Sequence, residues 1–135
     1  MHRILIVALM LFLLVGCSSG TVTPTAKPVV RAVLFYSTTC PHCHIIIEQV
    51  LPPLQKQYGD QLEIRMLEVS DSRNYQLWLK AMDAYQVPAD WRGVPMLFIG
   101  DKVLVGSGQI PEQLPGLIEQ YLKAGGVDYP EVLRE

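Results

Sequence analysis

Val33-Leu34-Phe35-Tyr36-Ser37-Thr38-Thr39-Cys40-Pro41-His42-Cys43-His44 is the stretch from which the rest of the chain can be read. Val33 to Tyr36 is short, apolar and rich in β-formers, and Ser-Thr-Thr closes it, which predicts a buried strand over 31–37 running into a loop. After Pro41 the period changes: Ile47, Val50, Leu51, Leu54 and Tyr58 recur at helical spacing, and Gly59 stops them. Both cysteines therefore stand where a strand passes into a helix over 41–58. Pro41 falls at the first helical position, where a missing N–H costs nothing. Pro52 and Pro53 remove further donors and predict a kink that divides this helix.

Downstream, Leu62, Ile64 and Met66 alternate with Glu63 and Arg65, giving a second strand over 61–69. Asp71 is a plausible N-cap for a helix whose Tyr75, Trp78, Met82 and Tyr85 form an apolar stripe, read as core rather than cofactor site. Met96–Ile99 and Lys102–Val105 flank Gly100-Asp101 as an antiparallel hairpin. Leu114, Leu117, Ile118, Tyr121 and Leu122 make a last amphipathic helix, with Pro115 in its first turn and Gly125-Gly126 at its end. The expected order is β-α-β-α-β-β-α, an α/β fold. A right-handed crossover makes its first two strands parallel. Residues 30–127 form the domain, and the tail over 128–135 is expected to be loosely held.

Ahead of the domain, Met1-His2-Arg3 precedes an unbroken apolar run from Ile4 to Val15. As a helix that run is about 18 Å long, against roughly 30 Å of bilayer hydrocarbon. A cationic start, a short apolar stretch and then small residues describe a secretory signal. Leu14-Val15-Gly16-Cys17 resembles the lipobox of bacterial lipoproteins, which implies a signal peptide over 1–16 and lipid on Cys17. Residues 18–29 are polar and dotted with proline, a linker that keeps the domain near the membrane. The expected location is extracytoplasmic, with the acyl chains as anchor. A net charge of −2 and a pI near 5.9 offer no basic face for phosphates, which excludes nucleic-acid binding as the main activity.

If Cys17 carries lipid, the remaining cysteines are Cys40 and Cys43, a dithiol spaced for exchange. A helix N-terminus surrounds the first with unpaired N–H groups and positive dipole charge, favouring thiolate and making Cys40 the attacking sulfur. Cys43, one turn further in, is the resolving sulfur. His42 adds positive charge when protonated. Cys40-X-X-Cys43-His44 also matches the c-type haem attachment signature, but the strand, helix and later Gly93-Val94-Pro95 suit exchange rather than a haem pocket. A structural zinc site lacks its second ligand cluster. A membrane-tethered Cu(I) carrier using the same two thiolates is the rival from the binding class. His44 reads equally as a solvated helix residue pointing away from the Cys40 turn or as a functional one, and Trp91 as a cover for the dithiol or as packing under its loop.

A strand, Cys-X-X-Cys at a helix start and Gly93-Val94-Pro95 before a later strand resemble the thioredoxin-like superfamily over about residues 30–124. The resemblance implies a mixed central sheet with helices on both faces. It also implies a cis peptide before Pro95 beside the dithiol, and substrate backbone docked through Val94. Cys-Pro-His-Cys with Val before that proline is similar to the oxidising Dsb-type periplasmic thiol oxidases, which makes Cys40, Pro41, His42 and Cys43 the catalytic group, with no bound cofactor or metal. Two positions depart from the pattern: the buried carboxylate six residues before the first cysteine is Leu34, and the usual preceding Trp is Thr39. Asp71 to Asp90 leaves no room for the helical insertion of those oxidases. The segment Val30 to Pro130 also resembles thioredoxin-like domains found beside membrane proteins of the vitamin K epoxide reductase type, implying a quinone-linked redox partner. The expected protein is a monomeric, exported, lipid-anchored thiol-disulfide oxidoreductase acting on protein thiols.

Overall fold

The computed structural model describes residues 26–134; the signal segment and Cys17 lie outside the described residues. At the centre is β1 (Val30–Tyr36), in which Val33, Leu34 and Phe35 are wholly buried. It pairs in parallel with β2 (Leu62–Glu68) and antiparallel with β3 (Met96–Ile99), which pairs antiparallel with β4 (Lys102–Val105). The strand order is β2-β1-β3-β4, a mixed sheet.

Successive strand residues face opposite ways, so β1 feeds two cores at once. Ala32 and Leu34 pack with Ile46, Leu51, Leu54, Ile110, Leu114 and Ile118 on one face. Val33 and Phe35 pack with Ala81, Met82, Phe98 and Leu133 on the other. Helices therefore cover both faces, as the resemblance implied.

The first helical stretch is α1 (Pro41–Ile45), a π turn over Ile46–Val50 and α2 (Leu51–Tyr58). The division expected at Pro52-Pro53 thus lies one turn ahead of the prolines. A proline ring crowds the carbonyl four residues back, and widening the preceding turn relieves that contact. Helix α3 (Ser72–Ala84) is capped by Asp71, whose carboxylate accepts from the Arg73 and Asn74 amides at 2.9 and 3.1 Å. On its stripe Met82 is core, whereas Tyr75 is exposed.

Two expectations are corrected. Helix α4 (Gly106–Lys123) starts well before Pro115 and carries both Pro111 and Pro115 inside it. Burial of Ile110, Leu114 and Ile118, one above another at four-residue spacing, outweighs the two missing donors. Gly106, at φ +79°, lets the chain turn from strand directly into helix.

The tail beyond Asp128 is not loose. Val127 donates to the Val29 carbonyl and accepts from the Arg31 amide, each at 2.9 Å. Arg65 donates to the Leu133 carbonyl at 2.8 Å, and its guanidinium lies 4.2 Å from the Tyr129 ring centre. Leu133 is 1% exposed, so the tail completes the second core. Leu133→Ala is expected to lower stability by about 2–5 kcal/mol, the cost of emptying a buried leucine site. A urea midpoint unchanged by this substitution would restore the loose tail.

Candidate active site

Cys40 occupies the N-cap of α1 with extended backbone (φ −94°, ψ 114°), and its carbonyl accepts from the Cys43 and His44 amides at 3.0 and 3.2 Å. Its own amide donates to the Ser37 carbonyl at 3.2 Å, closing the turn Ser37-Thr38-Thr39-Cys40. The strand stops here because Ser37 takes over the turn's bonding. Its hydroxyl oxygen accepts from the Thr39 amide at 3.3 Å and lies 3.1 Å from Thr39 Oγ1.

Both cysteines are free thiols, Cys40 half-exposed and Cys43 fully buried. Burial, followed by the hydrogen bond with Cys40, pushes the Cys43 thiol up to about 12, while a backbone hydrogen bond at Ser37 pulls weakly the other way. Leu34 is wholly buried, and no polar or charged residue is buried among the described residues. No wholly buried acidic residue replaces the one missing at position 34 among the described residues, although one carboxylate oxygen of Glu68, Oε1, is buried.

The Cys40 thiol donates to the Val94 carbonyl at 3.6 Å. Val94-Pro95 is cis, as the resemblance implied, and Pro95 is buried. The structure thus gathers Cys40, Pro41, His42, Cys43, Val94 and Pro95 at one end of the sheet, although the last two lie far along the chain.

His42 reaches across to the start of α4, where its Nδ1 is 2.9 Å from Ser107 Oγ. Ser107 follows Gly106, whose amide donates to the Pro95 carbonyl at 2.8 Å, so one short segment holds both the histidine and the proline loop. Sequence reasoning missed Ser107. The signal available was Gly106-Ser107-Gly108 at the end of a strand, which marks a turn entering a helix. Trp91 is half-exposed and lines an open cavity of about 350 Å³ with Asp90, Arg92, Val94, Val105 and Gln109, beside the proline loop.

His44 does not point away from the Cys40 turn, contrary to expectation. Its Nε2 donates to the Thr38 carbonyl at 2.9 Å, and its Nδ1 is 3.1 Å from Glu48 Oε1. Among the described residues no group of three or more His, Cys, Asp or Glu is placed to hold a metal ion, and no helix is long and apolar enough to cross a membrane.

No protein-family model and no curated protein matches the chain. Among solved structures it is similar to Trichomonas vaginalis thioredoxin, at 24% identity over 70% of this chain and 81% of that one, with a TM-score of 0.48. A buckwheat glutaredoxin in complex with glutathione gives 22%, 70%, 78% and 0.47. A chain from a study of thiol resolution in yeast mitochondrial 1-Cys peroxiredoxin via the glutathione and thioredoxin systems gives 19%, 70%, 80% and 0.48. The parallel β1-β2 pair, the antiparallel β3-β4 hairpin, the helices on both faces and the dithiol facing a cis-proline loop make the fold thioredoxin-like.

Proposed function

We propose that the protein is a thiol-disulfide oxidoreductase that works on protein thiols in the oxidising direction. The observation that carries this reading is the asymmetry of the pair. A half-exposed Cys40 sulfur lies against the Val94 carbonyl, backed by a Cys43 that is wholly buried and hard to ionise. In the oxidising direction a substrate thiolate attacks Cys40 of the Cys40–Cys43 disulfide, and Cys43 leaves, gaining a proton. A second substrate thiol then attacks the mixed disulfide at the substrate sulfur and releases Cys40. Two electrons and two protons pass from substrate to enzyme, and a membrane carrier must remove them before the next cycle.

The lipobox at Leu14 to Cys17 supports export and a lipid anchor on the outer side of a bacterial membrane. The resemblance to domains beside vitamin K epoxide reductase-type proteins supports a quinone-linked partner as the oxidant. The oxidising direction rests on Cys-Pro-His-Cys and on His42, which stands between the two cysteines in sequence and whose Nδ1 is held by Ser107.

Equilibration of the pair against glutathione buffers tests the direction. The expected reduction potential lies nearer that of the strongly oxidising periplasmic enzyme, about −120 mV, than that of thioredoxin, about −270 mV. His42→Gly is expected to make the dithiol more reducing, since the charge that favours the reduced thiolate is lost. A potential at or below thioredoxin's would make the protein a reductase.

A further inference from the structure

The turn that carries Cys40 is held from outside by a side chain that touches neither sulfur. The Thr38–Thr39 peptide is the middle of that turn, and its carbonyl accepts from His44 Nε2 at 2.9 Å. The other ring nitrogen faces the Glu48 carboxylate at 3.1 Å. A carbonyl and a carboxylate both only accept, so both ring nitrogens must donate, and the pair of bonds exists only for the imidazolium. Because His44 lies one helical turn beyond Cys40, its side chain ties the loop before the attacking sulfur to the helix after it.

We propose that His44 is a positioning residue for Cys40: as an imidazolium bridging Glu48 and the Thr38 carbonyl, it fixes the turn that presents the attacking sulfur, so the reactivity of Cys40 follows the protonation of His44. The proposal rests on the reading of Cys40 as the attacking thiol. The Thr38 carbonyl first, and Glu48 second, raise the His44 pKa above its ordinary value. The bridge is therefore complete below the usual histidine range and is lost as pH rises through the raised value. Once neutral, His44 presents a lone pair to one of its two acceptors. Either Glu48, exposed on the helix, swings away or the turn is released.

One other charged side chain, Glu68, also bonds this turn, through the Thr38 backbone, but it does not titrate with His44. Glu68, opposite Tyr36 at the end of β2, is held as a carboxylate chiefly by the Ser70 hydroxyl and accepts from the Ser70 amide at 2.8 Å. That hold lowers its pKa, so it stays charged throughout the range in which His44 titrates. His42, on the same helix, is engaged with Ser107 of α4.

The test follows iodoacetamide alkylation of Cys40 in the reduced full chain across about pH 5 to 9, read peptide by peptide, together with hydrogen exchange of the Cys40 amide. His44→Ala is expected to speed exchange of that amide about tenfold, the worth of one charge-assisted hydrogen bond, and to slow alkylation severalfold at the acidic end only. His44→Gln, whose amide can donate to the Thr38 carbonyl, is expected to restore protection while losing the pH step. Glu48→Gln, a change on an exposed side chain, is expected to move the step to lower pH. A purely structural role would not shift the step with Glu48. Profiles for His44→Ala and Glu48→Gln that superimpose on wild type, with Cys40 still labelled before Cys43, would overturn the proposal alone. Equal labelling of the two cysteines in wild type would remove the assignment of Cys40 and the proposal with it.

Discussion

Reduced protein treated with iodoacetamide at neutral or mildly acidic pH is expected to carry label on Cys40 at least about a hundredfold sooner than on Cys43. Only the thiolate reacts, and a thiol pushed up to about 12 is ionised to roughly one part in 10⁵ at pH 7. The physical causes act together: Cys43 has no exposed surface, and its thiol donates to the Cys40 sulfur, a bond that favours the protonated form. Cys40 stands half-exposed at the N-cap, where the helix leaves amides without intrahelical partners. Mass spectrometry of the digested protein reads both sites in one sample. Comparable labelling rates would mean that the pair is not divided into attacking and resolving sulfurs.

Cys43→Ser is expected to stop multiple turnover, with a loss of about a hundredfold or more, while covalent adducts accumulate on Cys40. Without Cys43 the disulfide that a substrate thiolate attacks cannot form, and a mixed disulfide made when Cys40 attacks an already oxidised substrate loses the intramolecular thiol that would otherwise expel it, at a large effective concentration. The substitution exchanges one small buried group for another of similar size, so the fold should persist and the adducts should be recoverable after alkylation of free thiols. The identity of the trapped proteins would name the substrates directly. Recovery of no covalent adducts on Cys40 would favour a carrier in which the two sulfurs act as ligands for Cu(I).

The raised Cys43 thiol goes with a core in which no charged residue is buried among the described residues. The missing acid could be read in the sequence as Leu34, but whether another residue replaced it could not. In the structure Leu34 packs with Ile46 and Leu97 in an apolar core, and the acidic side chain at the end of β2, Glu68, engages Ser70 through Oε2 while its Oε1 is buried. A carboxylate introduced at position 34 would enter a dry, closely packed site and would cost stability before it helped catalysis.

The sequence by itself determined the elements and the reacting pair. Alternation at Leu62 to Met66, helical spacing from Ile47 to Tyr58, the Asp71 cap and the turn at Gly100-Asp101 are local signals, and each is set by backbone geometry within a few residues. Cys40 and Cys43 were legible for the same reason, since their spacing and their place at a helix start are local. Tertiary structure alone decided the rest. Helix α4 ignores its prolines because the burial of Ile110, Leu114 and Ile118 depends on what lies opposite them. The tail is held because Arg65, on an edge strand far away in sequence, lies beneath Tyr129 and reaches Leu133. Ser107 meets His42, and Thr38 meets His44, through contacts that no local period encodes. A histidine on a helix surface has many solvated positions open to it, and only the folded chain shows which acceptors its two nitrogens face.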